Sequence, residues 1–391
     1  MADRVPGAES GGAVRAAEWV PAEADCLADV ERAAAAVLPA GVRDFVAGGS
    51  GDETTLDANR AAFDRVFVEP RVLRDVSRCT TRTTLLGEPA RLPVAVAPVA
   101  YQRLLHPDGE LAGARAAKRA DVPFTVGTLS SVPVERVTAE GGTVWFQLYW
   151  PREPGAALDL VRRAEDAGAR AVLLTVDVPW MGRRPRDVRN SFALPDHVRA
   201  AHLDAGPSTA HRGTSTAHGR TSAAGSAVAA HTRETFSAAV TWSSVERLRE
   251  CTRLPLVLKG VLAPEDARRA TECGVDAVVV SNHGGRQLDG AVPSVEALPE
   301  VVAAVAGHCE VLLDSGVRSG TDVLRALALG AGGVLLGRPV LWGLAAGGEA
   351  GVSRVLELLA DEVRDALGLA GCPDVGEARR LRTVVRGVVR G

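Results

Sequence analysis

The chain has 391 residues, 46% hydrophobic and 24% charged, enough apolar material for a large core in a soluble globular protein. The formal charge of −3 argues against a nucleic-acid or anionic-membrane binder, and 4% aromatics against a base-stacking surface. At ~150 residues per domain the length suggests two or three domains, but one α/β barrel with insertions can absorb it all.

The first residues, MADRVPGAESGGAVRAAE, mix charges of both signs with small residues and have no apolar core. Residues 1–20 are therefore expected to be a disordered tail and not a signal peptide. No uncharged apolar run approaches the ~18 residues of a membrane span. The six cysteines are scattered without a C-x-x-C pair, so reduced thiols in the cytoplasm are expected. An Ala-rich segment from Leu27 to Val46 predicts one helix ending at Gly48-Gly49. A short helix near Asp57–Phe63 and an extended VFVEPRVL segment complete an N-terminal preface without its own core.

Regular alternation follows. Short apolar runs predict strands at Leu92–Ala97, Phe124–Gly127, Val144–Leu148, Ala171–Val176, Leu256–Lys259, Ala277–Val280, Val311–Leu313 and Gly333–Leu336. Amphipathic helices are expected between them, at Glu110–Ala120, Gly155–Ala167, Pro264–Cys273 and Thr321–Leu329. Eight strand–helix repeats with apolar strands predict an α/β fold, a TIM (β/α)8 barrel, with residues 21–391 as a single domain. A doubly wound sheet is the alternative, but the first strand ends in Pro98-Val99-Ala100 and not in G-x-G-x-x-G. Between the fourth and fifth strands, Trp180 to Ala239 is a low-complexity connection, and its part from about 190 to 239 is expected to be a long flexible lid loop. It holds His197, His202, His211, His218 and His231, read as a solvated lid against a metal site, because no i,i+4 pair or carboxylate cluster accompanies them.

Barrel chemistry gathers at the C-terminal strand ends. Those ends read Pro98-Val99-Ala100, Gly127, Gln147-Leu148-Tyr149, Thr175-Val176-Asp177, Lys259, Ser281-Asn282-His283, Asp314-Ser315-Gly316 and Gly337-Arg338. After the last two strands, glycine beside Arg318 and Arg338 suits a phosphate dianion, with ordinary turns carrying surface arginines as the alternative. SNHGGRQLD, Ser281–Asp289, places His283 in the barrel mouth with Arg286 three residues on: a candidate base and a carboxylate fork.

Through SNHGGRQLD, with LPVAVAPVA, FQLYW, LLTVDVP followed by GRR, LVLKGV, DSGVRSGTDVLRALALGA and LLGRPVLW, the chain resembles the FMN-dependent 2-hydroxy acid oxidase and dehydrogenase family. The likeness runs from about residue 40 to Gly371 and implies the barrel and bound FMN. It implies His283 as the base with Asp177 behind it, and Lys259 beside the flavin. Arg184 and Arg286 would hold the substrate carboxylate, with Tyr149 bonding the substrate. Pro98, Val99, Ala100, Gln147, Thr175 and Ser281 would contact the flavin. Asp314, Ser315, Gly316, Arg318, Gly337 and Arg338 would hold its ribityl chain and phosphate.

Three positions depart from the family: Phe45 replaces a hydrogen-bonding tyrosine, Leu129 a tryptophan, and Gly127 a flavin-contacting serine. The first two predict a wide, apolar side-chain pocket suited to an aromatic (S)-2-hydroxy acid such as mandelate, or 4-hydroxymandelate if Tyr101 or a lid side chain meets the phenol. Long-chain aliphatic hydroxy acids, lactate and glycolate are the alternatives. Oxygen is the expected acceptor, giving hydrogen peroxide. A quinone-linked dehydrogenase and a non-catalytic phospholigand-binding barrel are the competing readings. Family likeness also implies a homo-oligomer, often a tetramer.

Overall fold

A computed structural model describes residues 21–203 and 227–386. Eight strands form the centre: β1 (Val94–Val96), β2 (Phe124–Gly127), β3 (Val144–Leu148), β4 (Ala171–Thr175), β5 (Leu256–Val261), β6 (Ala277–Val280), β7 (Glu310–Leu313) and β8 (Gly333–Leu336). They pair in parallel in that order, and β8 closes on β1 with Val334 opposite Val94, making the TIM barrel the sequence predicts. All eight lie where the apolar runs place them, with ends shifted by two residues at most.

Period-two alternation divides the strand residues between two packing layers. Val94, Val96, Phe146, Val172, Leu174, Leu258, Val278, Val280, Leu313 and Leu336 pack outward in the main hydrophobic cluster. Ala95, Trp145, Leu173, Val257, Val279, Leu312 and Leu335 fill the barrel interior in a separate one. Continuing the same alternation by one step places Gln147, Thr175, Lys259, Ser281, Asp314 and Gly337 on the interior face at the barrel mouth. Most of the polar site is thus set by strand register. At the opposite end, a hairpin of Thr83–Leu85 and Glu88–Ala90 plugs the barrel with Leu85 and Ala90.

The preface differs from the expected single helix. Helices Leu27–Val37 and Ala40–Ala47 are separated by Leu38, whose φ −81° and ψ 136° are extended. Pro39 causes the break, because its ring disfavours helical backbone at the preceding residue. The first of these helices packs on the C-terminal helix Arg338–Leu369, which kinks at Gly347 and Gly348. Val66–Val68 pairs antiparallel with Thr383–Val385, tying the end of the preface to the C-terminal end of the described chain.

The segment after β4 carries more structure than its composition suggests. It contains helices Pro185–Arg189 and Ala227–Thr235, and Phe236 bridges to Pro151. His202 is 5% exposed and internally hydrogen-bonded, contrary to a wholly solvated lid. His197 and His231 are exposed, and His211 and His218 lie outside the described residues. Among the described residues no helix is long and apolar enough to cross a membrane, and no cluster of His, Cys, Asp or Glu is arranged to hold a metal ion.

Candidate active site

The barrel mouth opens into a cleft with about 1260 Å³ of empty space, part of it open to solvent. Seventeen residues singled out from sequence line it: Phe45, Pro98, Val99, Ala100, Tyr101, Leu129, Tyr149, Arg184, Lys259, His283, Arg286, Asp314, Ser315, Gly316, Arg318, Gly337 and Arg338. Gly127, Gln147, Thr175, Asp177 and Ser281 do not line the cleft. Gln147 donates to Thr175 Oγ1 at 3.0 Å and accepts from the Thr128 amide at 3.2 Å, and Gly127 sits beside this pair.

His283 follows β6 in left-handed backbone, φ 59°, a conformation that costs energy for a non-glycine residue and recurs at functional sites. Its amide donates to Ser281 Oγ at 3.0 Å, while the following glycines accommodate the turn. A Cβ on Gly285 would lie 2.6 Å from the backbone of Leu56, so only glycine fits there. Nδ1 lies 3.1 Å from Asp177 Oδ1 and Nε2 3.4 Å from the Tyr149 hydroxyl. With the Nδ1 proton held by Asp177, Nε2 is the acceptor facing the cleft. Burial lowers the His283 pKa and outweighs the pull of Asp177, keeping the ring neutral and basic near pH 7. Asp177 has room because residue 260 is glycine: a Cβ there would lie 2.5 Å from the Asp177 Cγ.

Lys259 is buried, 2.8 Å from Asp314 Oδ2 and 3.1 Å from Ser281 Oγ. Burial opposes its charge, but Asp314 and Asp177 outweigh burial and raise its pKa. Ser315, with φ 74°, donates to Asp314 Oδ1 at 2.8 Å and accepts from the Gly284 amide at 2.9 Å.

Four arginines surround this core, Arg184 buried and Arg286, Arg318 and Arg338 half-buried. Arg286 donates to the Gly48 carbonyl at 2.7 Å and lies 5.4 Å over the Phe45 ring, which stacks on Phe192. Arg338 donates to the carbonyls of Val46, Gly48 and Gly284. Among the described residues, the Arg318 side chain hydrogen-bonds only the Val317 carbonyl, at 2.8 Å. The Arg184 Nε is buried and has no hydrogen-bond partner among the described residues. Burial, then the charge of Arg286, pulls the Arg184 pKa down to about 9. Burial and the other three arginines push Arg338 down as well. Cations that depress one another out of water are short of an anion.

The remaining walls are apolar. Val178, Met181, Val228 and Thr232 line the cleft from the segment after β4, and Leu104, Leu105 and Leu341 from elsewhere. None of these was singled out from sequence. The spacing of Val228, Thr232 and Phe236, all buried, is the helical signal that the low-complexity composition obscured. Phe236 in turn packs on Tyr149, with ring centroids 5.1 Å apart.

Comparison with known proteins agrees with this geometry. Residues 34–384 match the FMN-dependent dehydrogenase family. The chain is 62% identical to 4-hydroxymandelate oxidase of Amycolatopsis orientalis over 357 residues, covering 91% of this chain and 97% of that one. It is 48% identical to L-lactate oxidase of Nostoc over 84% of this chain and 89% of that one. A crystal structure of mandelate oxidase with (S)-4-hydroxymandelic acid superposes with a TM-score of 0.88 at 61% identity, covering 94% of this chain and 100% of that one. The eight-stranded parallel barrel, its arginine-lined mouth and these likenesses place the chain in the FMN-dependent dehydrogenase family.

Proposed function

We propose that this protein is an FMN-dependent oxidase of an aromatic (S)-2-hydroxy acid, of the mandelate or 4-hydroxymandelate type, yielding the 2-oxo acid. The observation that carries the reading is the joint presence of a neutral His283, a cluster of unneutralised arginines and an apolar wall in one cleft. The cleft fits FMN by its own chemistry. Arg318 and Arg338 await an anion at one end, Pro98, Val99 and Ala100 offer a flat wall, and the Lys259 ammonium sits at the centre. A Cβ at Gly337 would make ordinary contact with Ala97, at 3.9 Å, so nothing crowds the backbone at the phosphate end. Gln147, Thr175 and Ser281 would support the flavin from beneath the cleft. Glycine at 127 leaves only backbone for contact.

When bound, FMN accepts two electrons and is reoxidised by oxygen, releasing hydrogen peroxide. Arg184 and Arg286 hold the substrate carboxylate and so orient the α-carbon. Tyr149 donates to the substrate, its phenol kept protonated because burial and then Asp177 push its pKa up. His283 Nε2 takes up the substrate proton, and Asp177 stabilises the imidazolium that results. The buried Lys259 charge stabilises negative charge gathering at the centre of the cleft. Phe45, Leu129 and the segment after β4 enclose the aromatic group, and Tyr101 closes its far end. The assignment extends to a cytoplasmic homo-oligomer, in keeping with six unpaired cysteines.

The test is direct. The purified holoprotein is mixed anaerobically with mandelate, 4-hydroxymandelate, 2-hydroxyoctanoate, lactate and glycolate, and flavin bleaching is followed before and after oxygen is admitted. The aromatic acids should give the highest kcat/KM, with one peroxide per turnover. A lactate or glycolate value above that for mandelate overturns the substrate assignment, and oxygen-insensitive reduced flavin overturns the oxidase assignment.

A further inference from the structure

Outside the cleft, a second polar cluster joins the two loops that carry Tyr101 and Leu129. Glu110, at the start of the helix after β1, is fully buried. Its Oε1 accepts from the Ser131 amide at 2.8 Å and the Gln102 amide at 3.2 Å, and its Oε2 from the Ser131 hydroxyl at 2.7 Å. Ser131 Oγ in turn accepts from the Arg103 amide at 3.0 Å. One side chain therefore fixes residues 102 and 131 directly, and 103 through Ser131. The adjoining backbone is coupled as well, since the Tyr101 amide donates to the Leu129 carbonyl at 3.0 Å.

The opposite side of the second loop is held by the segment after β4. His202 Nε2 accepts from the Val134 amide at 2.9 Å, its Nδ1 lies 3.2 Å from the Thr128 carbonyl, and the Ala201 amide donates to the Ser130 carbonyl at 2.9 Å. None of Glu110, Ser131 and His202 lines the cleft. Tyr101 sits in left-handed backbone, φ 57°, so its position has to be imposed by such contacts.

We infer that the Glu110–Ser131 pair, with His202 behind it, acts as a positioning clamp that sets the distance between Tyr101 and Leu129 and so the enzyme's discrimination between bulky and small 2-hydroxy acids. A methylene-sized misfit in an apolar pocket is worth ~10-fold or more in kcat/KM. Loosening the clamp changes the fit of the substrate side chain. It leaves the carboxylate, base and flavin groups on β4–β8 in place. This inference rests on the aromatic-substrate reading for its direction, but not for its existence.

The experiment compares the parent holoenzyme with Glu110→Gln, Ser131→Ala and the double variant. Glu110→Gln keeps one oxygen for the two amides and replaces the charged acceptor of the Ser131 hydroxyl by an amide NH2, which can only donate to it, so the contact is reversed and weakened. Ser131→Ala removes the same link with a smaller change, so it carries the test if the first variant folds poorly. Each variant should retain FMN and reduce it with saturating lactate at close to the parent rate. The mandelate-to-lactate ratio of kcat/KM should fall ~10-fold in each, mostly through KM for mandelate. The double variant should fall no further, because both changes act on one link. A merely structural role would lower the melting temperature and both substrates in proportion, and that result, or an unchanged ratio, overturns the clamp. If the parent itself favours lactate, the aromatic reading fails, while a shift of the ratio in the variants still upholds the clamp.

Discussion

The two sides of the barrel mouth are held by different means. From β5 to β8, Lys259, Ser281, His283, Asp314 and Arg338 lie within a strand or no more than three residues beyond one, on backbone already fixed by the ladder. On the other side, Tyr101, Leu129, Met181, Val228 and Thr232 stand on connecting segments held by side-chain hydrogen bonds and packing. In the proposed reaction the first side supplies the base and the lysine, with Tyr149, Asp177 and Arg184 added from beyond the ends of β3 and β4, and small displacements of such groups are costly. The second encloses a substituent, where size and polarity matter more than an exact angle. Reaction and substrate choice thus rest largely on different supports within one cleft, meeting in the segment after β4, which carries both Met181 and Arg184.

The largest break in this comparison is expected on the strand side. His283→Asn is preferable to alanine, because asparagine tolerates the left-handed backbone found there. It should slow flavin reduction by ~10²–10⁴-fold with FMN still bound, measured by anaerobic stopped flow. Arg286→Lys keeps the charge but loses the planar fork, and should raise KM for every 2-hydroxy acid by ~10–100-fold. The pH profile sharpens the same side. Burial depresses the His283 pKa, so the basic form predominates at neutrality. Accordingly kcat/KM should stay level around pH 7 and fall only below ~6.5, the ordinary histidine value, by up to tenfold per unit. On the loop side, Leu129→Trp should lower kcat/KM for mandelate about fivefold or more by overpacking, with lactate least affected. Equal losses for both acids in a substrate panel would dissolve the distinction between the two sides.

The same division decides what the sequence discloses. Apolar strands alternate strictly, so Gln147, Thr175, Lys259, Ser281, Asp314 and Gly337 can be placed at the mouth by counting residues from Trp145, Leu173, Val257, Val279, Leu312 and Leu335. His283 and Arg286 are marked by a dense local motif. Glu110 carries no such mark: an acidic residue in a first helical turn reads as an ordinary dipole partner. Its role arises from Gln102 and Ser131, which a separate strand brings together. His202 is hidden in the same way by its Ser- and Ala-rich surroundings. The hairpin at Thr83–Ala90 and the strand Thr383–Val385 went unpredicted because three-residue strands are too short to show a period, whereas the extended VFVEPRVL segment was expected and only its pairing was not. The helix break at Leu38 was legible in Pro39 and was outweighed by the alanine-rich flanks.

Arg338 reaches back to the carbonyls of Val46 and Gly48, and β8 reaches back to β1. During synthesis these partners leave the ribosome at opposite ends of the process. The preface and β1 emerge early, yet one edge of β1 and the carbonyls of Val46 and Gly48 wait for their partners until almost all of the barrel has been made. Such long-range pairing slows folding and leaves an apolar edge exposed meanwhile. The nascent chain therefore cannot assemble its anion site before β8 arrives. Cofactor capture is then one of the last events in making this protein, and flavin shortage would leave newly closed barrels holding mutually repelling arginines.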